Sequence, residues 1–132
     1  MKKNVKVILL GHGSSLPYAQ ENFKKLKELI ASDYSTYDID FAFMIDGKEA
    51  LNKKIYSNLG KNIEKIIVIP VFLSHGVHTK EDIPKMLGLE SENLKNINFQ
   101  GKTIKLIYAE TLGIDSRIVE IVKDRIQAVI DL

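Results

Sequence analysis

The sequence predicts a single α/β domain over residues 1–132, in which helices cover both faces of a four-stranded parallel sheet. Apolar runs of strand type and segments of helical periodicity alternate four times along the chain, as they do in doubly wound folds. Residues 66–69 form an unbroken β-branched run, which is typical of a strand buried on both faces of a parallel sheet. A length of 132 residues is that of one domain.

Four short apolar runs define the predicted strands, which cover residues 5–10, 39–44, 66–69 and 103–109. Pro70 cannot donate to a strand ladder, so regular pairing of the third strand is expected to stop at about that residue. The segment 90–102 is polar, with three asparagines and a glycine. It is therefore interpreted as a surface loop.

Apolar residues at helical spacing predict a helix after each strand. The first helix begins near Pro17, and its apolar face carries Phe23, Leu26, Leu29 and Ile30. The second ends at Gly60, and its inner face carries Ala50, Leu51, Ile55 and Leu59. The third covers 79–89, and the fourth covers 115–130, with an apolar face of Ile118, Val122, Ile126 and Val129. Thr79 is expected to cap the third helix by accepting a hydrogen bond from the Asp82 amide.

Composition excludes several classes of protein. Lysine and arginine total 19 against 17 acidic residues, and this small, scattered excess does not predict nucleic-acid binding. The apolar run at residues 5–10 is too short for a membrane span and has no cleavage signature, so we expect a cytoplasmic protein without membrane partners. The chain has no cysteine, so a metal would need imidazole, carboxylate or ligand atoms.

Two of the three histidines follow different strands, and both lie at carboxyl ends. His12 stands between Gly11 and Gly13 after the first strand, and His78 follows the third. Parallel strands bring these ends to one edge, where open α/β sheets bind ligands. A neutral imidazole can ligate a metal or accept a proton, and the adjacent glycines would admit a bulky ligand. The alternative is that Gly-His-Gly is only a tight turn and that His78 caps the next helix.

Other catalytic classes lack their required residues. A histidine phosphatase needs an arginine immediately before the residue at position 12, where Gly11 stands. The chain contains no G-x-S-x-G elbow, no G-x-G-x-x-G after the first strand and no G-x-x-x-x-G-K-[ST] loop. The remaining histidine, His75, is expected to pack or hydrogen-bond within its own loop.

Three segments resemble the short class II chelatases, which insert cobalt or nickel into sirohydrochlorin. They are L-G-H-G-S at 10–14, P-V-F-L-S-H-G-V-H-T-K-E-D-I-P at 70–84 and L-G-I-D-S-R-I-V at 112–119. The resemblance implies a three-layer, flavodoxin-like chelatase fold in a homodimer. It also implies that His12 and His78 bind the metal and that His12 is the base. The residues implied to contact the tetrapyrrole are Leu73, Ser74, His75, Gly76, Val77 and His78.

The sequence departs from the family pattern at one contact. Relatives commonly carry Glu-Pro shortly after the second strand, whereas this chain has Lys48 and Glu49 there. Either Glu49 replaces the family glutamate, or Lys48 pairs with a substrate carboxylate, or Lys48 is a solvated residue that opens a helix. The segment 90–102, rich in histidine in some archaeal relatives, has none here, so a metal-storage role is unsupported.

The resemblance therefore implies insertion of Co²⁺ or Ni²⁺ into sirohydrochlorin, with no permanently bound cofactor. Iron, which would yield sirohaem, is a further candidate, and nickel and cobalt would lead to coenzyme F430 and cobalamin respectively. The alternative is a tetrapyrrole or metal carrier of the same fold that does not turn over. A regulatory module that uses this edge for another anion is a third interpretation.

Overall fold

The computed structural model describes residues 3–132, and five strands and four α-helices make up the regular structure of that part of the chain. In chain order they are β1 (Val5–Gly11), α1 (Tyr18–Ala31), β2 (Tyr37–Phe43), α2 (Gly47–Tyr56), β3 (Lys65–Pro70), α3 (Ile83–Leu87), β4 (Leu94–Phe99), β5 (Lys102–Tyr108) and α4 (Ser116–Gln127). A 3₁₀ turn at Met44–Asp46 precedes α2, and a π-helical turn at His78–Asp82 precedes α3. None of these helices is long and apolar enough to span a membrane.

The strands form one sheet in the order β2-β1-β3-β5-β4. The four predicted strands are parallel to one another, as expected. β3 ends at Pro70, which confirms the expected stop. The prediction of four strands is wrong by one, because β4 adds an antiparallel strand beside β5.

β4 lies within segment 90–102, which was predicted to be a loop. Gln100 and Gly101 both have positive φ, 51° and 79°, and form the two-residue hairpin connection that favours such angles. Ile97 and Phe99 pack on the core while alternate residues are exposed. The asparagines and lysine of this edge strand have low β propensity, so the sequence did not indicate a strand. Packing of the alternate apolar residues on the core outweighs this low propensity.

Helices on the two faces give three layers. One face of β1 and β2 packs against α1 through Phe23, Leu26 and Ile30. The opposite face of the sheet packs against α2 and α3, with Leu51 and Ile83 fully buried. The predicted three-layer α/β architecture is therefore confirmed. Leu29, predicted on the inner face of α1, is 57% exposed instead.

The predicted bounds of three helices need correction. The third helix was predicted from residue 79 to 89, but a π-helical turn comes first, and α3 ends at Leu87 because Gly88 is left-handed, with φ 72°. Thr79 does not cap this helix, since its hydroxyl accepts from the Gly76 amide. The second helix ends at Tyr56 and not at Gly60. The fourth helix ends at Gln127 and not at residue 130, and no residue of α4 is buried.

Candidate active site

The sheet brings His12 and His78 together at its carboxyl edge. β1 and β3 are adjacent and parallel, with Leu10 opposite Pro70 at their ends. The segments that leave these two strands carry the histidines, whose ring centroids lie 5.4 Å apart at 64°. Both residues are exposed. We call these two residues the histidine pair.

His12 is held by the tight turn that follows β1. Its carbonyl accepts a hydrogen bond from the Ile45 amide at 3.0 Å, and its Nδ1 lies 3.2 Å from the Gly13 carbonyl oxygen. If Nδ1 donates to this carbonyl, the lone pair is on Nε2, which leaves that nitrogen for a metal or a proton.

The glycines beside His12 serve internal packing rather than approach of a ligand, which corrects the sequence interpretation. A Cβ at Gly11 would lie 2.5 Å from the Phe23 ring, and one at Gly13 would lie 2.8 Å from Phe43 Cβ. Gly13 also has φ 93°, a conformation that disfavours other residues. At Gly76, by contrast, an added Cβ would meet no atom within 4 Å.

His78 begins the π-helical turn and pairs with Asp82 one turn later. Its Nδ1 lies 2.8 Å from Asp82 Oδ2. A carboxylate can only accept, so Nδ1 donates and Nε2 carries the lone pair. This is the arrangement by which carboxylates orient metal-binding histidines. From the sequence, Asp82 was expected only to favour a helix start, although its spacing of four residues from His78 was available as a signal.

His75 is hydrogen-bonded within its own loop, as predicted. Its Nδ1 lies 3.0 Å from Thr79 Oγ1, and its Nε2 lies 3.2 Å from Glu110 Oε2. Thr79 is buried, and its hydroxyl also accepts from the Gly76 amide at 2.8 Å. Both nitrogens of His75 are therefore engaged by residues outside the histidine pair. Glu110 was missed, although it comes two residues after β5 ends and so lies at the same edge.

Tyr108 of β5 stabilises the loop after β3 by a hydrogen bond. Its hydroxyl donates to the Thr79 carbonyl oxygen at 2.9 Å, and its side chain is buried. Burial raises the pKa of Tyr108 to about 12, and the negative charge of Glu110 contributes to the increase. The neutral phenol therefore holds the loop at every physiological pH.

Large exposed apolar side chains are concentrated at the same edge. Their exposed fractions run from 46% for Leu112 to 89% for Ile114. We call this set the apolar rim: Leu16 and Tyr18 after β1, Ile45 after β2, Leu73 and Val77 after β3, and Leu112 and Ile114 after β5. Exposed apolar surface of this extent is typical of a ligand or partner site.

Lys48 and Glu49 lie in the first turn of α2, which also starts at the carboxyl edge. Both are exposed. Over residues 3–132, neither side chain has a hydrogen-bond or ion-pair partner.

The residues predicted to contact the tetrapyrrole, Leu73 to His78, lie in the loop between β3 and α3. Within this loop, Gly76 already donates its N–H to Thr79 Oγ1. That N–H is not available to a substrate carboxylate.

The geometry of the histidine pair fits one shared metal ion. Imidazoles bound to one metal at about 2.1 Å place their ring centroids roughly 4.5–5.5 Å apart, and the observed separation is 5.4 Å. Over the part of the chain that the structure describes, no group of three or more His, Asp or Glu side chains could hold a metal. A metal at the pair would therefore keep open positions for a second ligand.

The fold and the site define the class of protein: a flavodoxin-like α/β domain with a histidine pair at the carboxyl edge of its parallel strands. The chain belongs to the CbiX family, whose family model matches residues 6–129. Curated relatives are named sirohydrochlorin cobaltochelatase. The protein from Methanopyrus kandleri is 40% identical, covering 93% of this chain and 95% of its own. That from Methanosarcina barkeri is 35% identical, covering 96% and 98%.

Solved structures share the fold. A putative cobalamin (vitamin B12) biosynthesis CbiX protein from Marinobacter aquaeolei matches with a TM-score of 0.66 and 26% identity, over 96% of this chain and 98% of that one. The sirohydrochlorin chelatase SirB from Bacillus subtilis subspecies spizizenii, solved in complex with cobalt, matches with a TM-score of 0.63 and 23% identity. This chain spans 51% of the SirB chain.

Proposed function

We propose that this protein is an enzyme that inserts a divalent metal, cobalt or nickel, into sirohydrochlorin. The observation that carries the proposal is the histidine pair, two exposed imidazoles 5.4 Å apart at the carboxyl edge of the sheet. Membership of the CbiX family and 35–40% identity to proteins named sirohydrochlorin cobaltochelatase support the choice of substrate.

In the proposed mechanism, the substrate metal binds to Nε2 of His12 and of His78. Two protein ligands leave coordination positions to water, and the pyrrole nitrogens of the macrocycle displace first that water and then an imidazole. Insertion replaces two pyrrole protons by one divalent cation. The imidazole of His12, once free of metal, accepts one of these protons, and the second leaves through the other imidazole or water.

The macrocycle would lie against the apolar rim, with its carboxylates toward solvent and polar groups. Apolar side chains such as Leu73 and Val77, 52% and 66% exposed, suit the flat face of a tetrapyrrole. The remaining contacts would come from the main chain between Leu73 and His78. Lys48, exposed and without a partner over residues 3–132, would meet a substrate carboxylate at the same edge.

The choice of metal rests on the site and on supply. Imidazole suits both cobalt and nickel, and nickel has the higher intrinsic affinity. The relatives are named for cobalt, which favours cobalt and therefore the cobalamin branch. Nickel, and with it coenzyme F430 synthesis in a methanogen, is the second candidate. We expect no permanently bound cofactor and a cytoplasmic location.

We further propose a homodimer in which the active edges face the partner. One sheet edge offers a macrocycle only a shallow seat, and the apolar rim extends beyond the histidine pair on all four parallel strands. A second copy would cover the part of this surface that the substrate leaves exposed.

The test is incubation of the protein with sirohydrochlorin and Co²⁺, Ni²⁺ or Fe²⁺ in turn, with the absorption change on insertion as the readout. We expect turnover well above the rate without protein, fastest with Co²⁺ or Ni²⁺. Tight binding of sirohydrochlorin or metal without turnover would instead identify a carrier, the alternative for which the lysine at position 48 is the best support. Absence of both binding and turnover would contradict the proposal altogether.

A further inference from the structure

A second contact between an imidazole and a carboxylate lies at the carboxyl edge, outside the histidine pair. Nε2 of His75, in the loop after β3, lies 3.2 Å from Oε2 of Glu110, in the segment after β5. The imidazole side chain is 28% exposed and the carboxylate side chain 88% exposed. A small ion can therefore reach the space between the two groups from solvent.

The separation of these two atoms suits a shared metal ion. A nitrogen and an oxygen that bind one metal at about 2.1 Å lie roughly 3.0–3.4 Å apart, whereas a hydrogen bond to a carboxylate is usually about 2.7–2.9 Å long. The contact between His78 and Asp82, at 2.8 Å, has the length of such a hydrogen bond. The contact between His75 and Glu110, at 3.2 Å, has the spacing of two ligands of one cation.

Thr79 is placed to hold the His75 imidazole in the tautomer that binds metal. Its buried hydroxyl lies 3.0 Å from Nδ1 and 3.2 Å from the Gly76 carbonyl oxygen. When the hydroxyl donates to that carbonyl, Nδ1 donates to the hydroxyl oxygen, and the lone pair of the ring is on Nε2. A hydrogen bond on the far nitrogen is the usual support of a metal-binding histidine. In the alternative tautomer, Nε2 donates to Glu110 and no metal is needed.

Backbone hydrogen bonds fix the two segments that carry this contact. The Leu112 amide donates to the Phe72 carbonyl at 2.9 Å, and the Gly113 amide donates to the Leu73 carbonyl at 2.7 Å. The loop after β3 and the segment after β5 therefore run side by side. Because their backbones are already held together, an ion that binds between them has little chain to order.

The surroundings of the contact carry net negative charge. The contact lies in a cleft of about 230 Å³ between the start of α3 and the segment before β4. Besides the imidazole, the charged side chains that line this cleft in the described chain are Glu90, Glu92, Glu110 and Lys80. Three carboxylates against one ammonium attract cations. A site here would have two protein ligands, as at the histidine pair, since no group of three such side chains over residues 3–132 could hold a metal.

We infer that His75 and Glu110 form a second binding site for a divalent transition-metal ion, separate from the histidine pair. One imidazole and one carboxylate suit ions such as Co²⁺, Ni²⁺ and Zn²⁺, and water completes the coordination. The bound ion joins the loop that leads to His78 to the segment after β5, and so stabilises that loop. The inference goes beyond the proposed function, and its test uses protein from which the histidine pair has been removed.

Co²⁺ binding to the double variant His12→Ala/His78→Ala tests the site directly. Equilibrium dialysis should give about one bound Co²⁺ per chain. Adding Glu110→Gln, which keeps the size of the side chain and can donate to Nε2, should weaken this binding at least tenfold, as should adding His75→Ala. Glu92→Gln, which lines the same cleft, is the matched control, and its affinity should stay within about threefold.

Three results would overturn the inference. A double variant that binds no Co²⁺ would show that His75 and Glu110 share only a hydrogen bond. An affinity unchanged by both Glu110→Gln and His75→Ala would show that the remaining ion binds elsewhere. Equal losses for Glu110→Gln and Glu92→Gln would show that the cleft attracts cations by charge alone.

Thermal unfolding in the presence of Zn²⁺ provides a second measurement. Because an ion that binds only the folded state stabilises it by mass action, Zn²⁺ should raise the melting temperature of the double variant by several degrees. The shift should persist with Glu92→Gln and be largely lost with Glu110→Gln. An equal shift with and without the Glu110 carboxylate would contradict the metal bridge. None of these measurements uses sirohydrochlorin, so their outcome is independent of the proposed chelatase activity.

Discussion

At the scale of single residues, the two members of the histidine pair are oriented by different groups. Nδ1 of His78 is held by the Asp82 carboxylate at 2.8 Å, whereas Nδ1 of His12 lies 3.2 Å from a backbone carbonyl. In the proposed mechanism, both arrangements leave Nε2 for the metal. Only the group bonded to Nδ1 of His78 carries a negative charge, so His78 should be the stronger ligand. His12 should then be the histidine that releases the metal and takes the proton.

The first prediction concerns the pair as a unit. His12→Ala and His78→Ala should each lower insertion activity by at least ~100-fold. A metal held by only two protein ligands is bound much more weakly when either ligand is lost. The double variant should be little worse than either single variant, since residues that act together are not additive. Turnover and Co²⁺ binding by absorption measure both effects.

His75→Ala is the control for that series. It should keep Co²⁺ binding at the histidine pair and lose roughly 1–2 kcal/mol of unfolding free energy through its bond to buried Thr79. If His75→Ala lost metal binding while His78→Ala kept it, the histidine pair would be misidentified. If all three variants turned over normally, the proposed mechanism would be wrong.

The second prediction is for Asp82, which in the proposed mechanism acts on the metal only through His78. Asp82→Ala should weaken Co²⁺ binding about 10- to 100-fold, the usual cost of losing a carboxylate behind a metal-binding histidine. Asp82→Asn, which can still accept from Nδ1, should recover part of this loss. Co²⁺ titration measures the effect, with Glu81→Ala on the same turn as the control. Equal affinities for Asp82→Ala and Glu81→Ala would remove Asp82 from this role.

The third prediction decides between Lys48 and Glu49. If Lys48 binds a substrate carboxylate, Lys48→Ala should raise KM several-fold and reduce the salt dependence of binding, because an exposed charge pair is screened. If Glu49 replaces the family glutamate, Glu49→Ala should be the more damaging change. Near-normal kinetics for both, measured at low and high salt, would show that neither contacts the substrate.

At the scale of elements, the π-helical turn sets the geometry of the site. It places His78 at its first residue, Asp82 at its last and buried Thr79 between them. Pro84 follows within the first turn of α3, where its missing N–H is tolerated. Thr79 joins this turn to β5 through the hydroxyl of Tyr108, so the loop after β3 is fastened to a neighbouring strand.

The fourth prediction tests that fastening. Tyr108→Phe removes the bond to the Thr79 carbonyl and should cost about 1 kcal/mol of unfolding free energy. Because the pKa of Tyr108 is raised from 10.0 to about 12 in the fold, the folded state holds the phenolic proton more tightly than the unfolded state. The stabilising contribution is therefore complete below pH 10 and lost as pH rises through about 12.

Denaturant titrations of the natural protein and of Tyr108→Phe at intervals from pH 8 to 12 measure this dependence. The difference between the two proteins should be constant up to about pH 9.5 and shrink above it, while the other alkaline titrations cancel in the comparison. A difference that does not change with pH would show that the phenol ionises equally in both states.

At the scale of the whole molecule, the sheet faces are covered unequally. α2 and α3 cover one face, α1 covers only half of the other, and no residue of α4 is buried. The carboxyl edge adds the apolar rim to this uncovered surface. Exposed apolar surface of this extent supports the homodimer proposed above.

The fifth prediction follows from this incompleteness. Light scattering should give the mass of two chains at micromolar concentration, and specific activity should fall when the protein is diluted below its dimer dissociation constant. The matched measurement is light scattering at the same concentrations, which relates the loss of activity to dissociation of the dimer. A monomer with full activity would contradict the homodimer and leave metal insertion itself unaffected.

The sequence by itself determined the parallel strands and the edge that bears the site. Runs such as 66–69 carry enough β-branched surface to require burial on both faces, and parallel order then brings His12 and His78 to one edge without further information. The sequence also predicted that His75 packs or hydrogen-bonds within its own loop, and its hydrogen bond to Thr79 confirms this.

Only the tertiary structure decided features that depend on packing between distant segments. β4 forms because β5 offers a ladder and Ile97 and Phe99 find the core, which outweighs the low strand propensity of their neighbours. Gly11 and Gly13 are required by aromatic and aliphatic neighbours from α1 and the β2 end, not by a ligand. The sequence shows an apolar stripe on α4, but only the fold shows that no residue of this helix is buried.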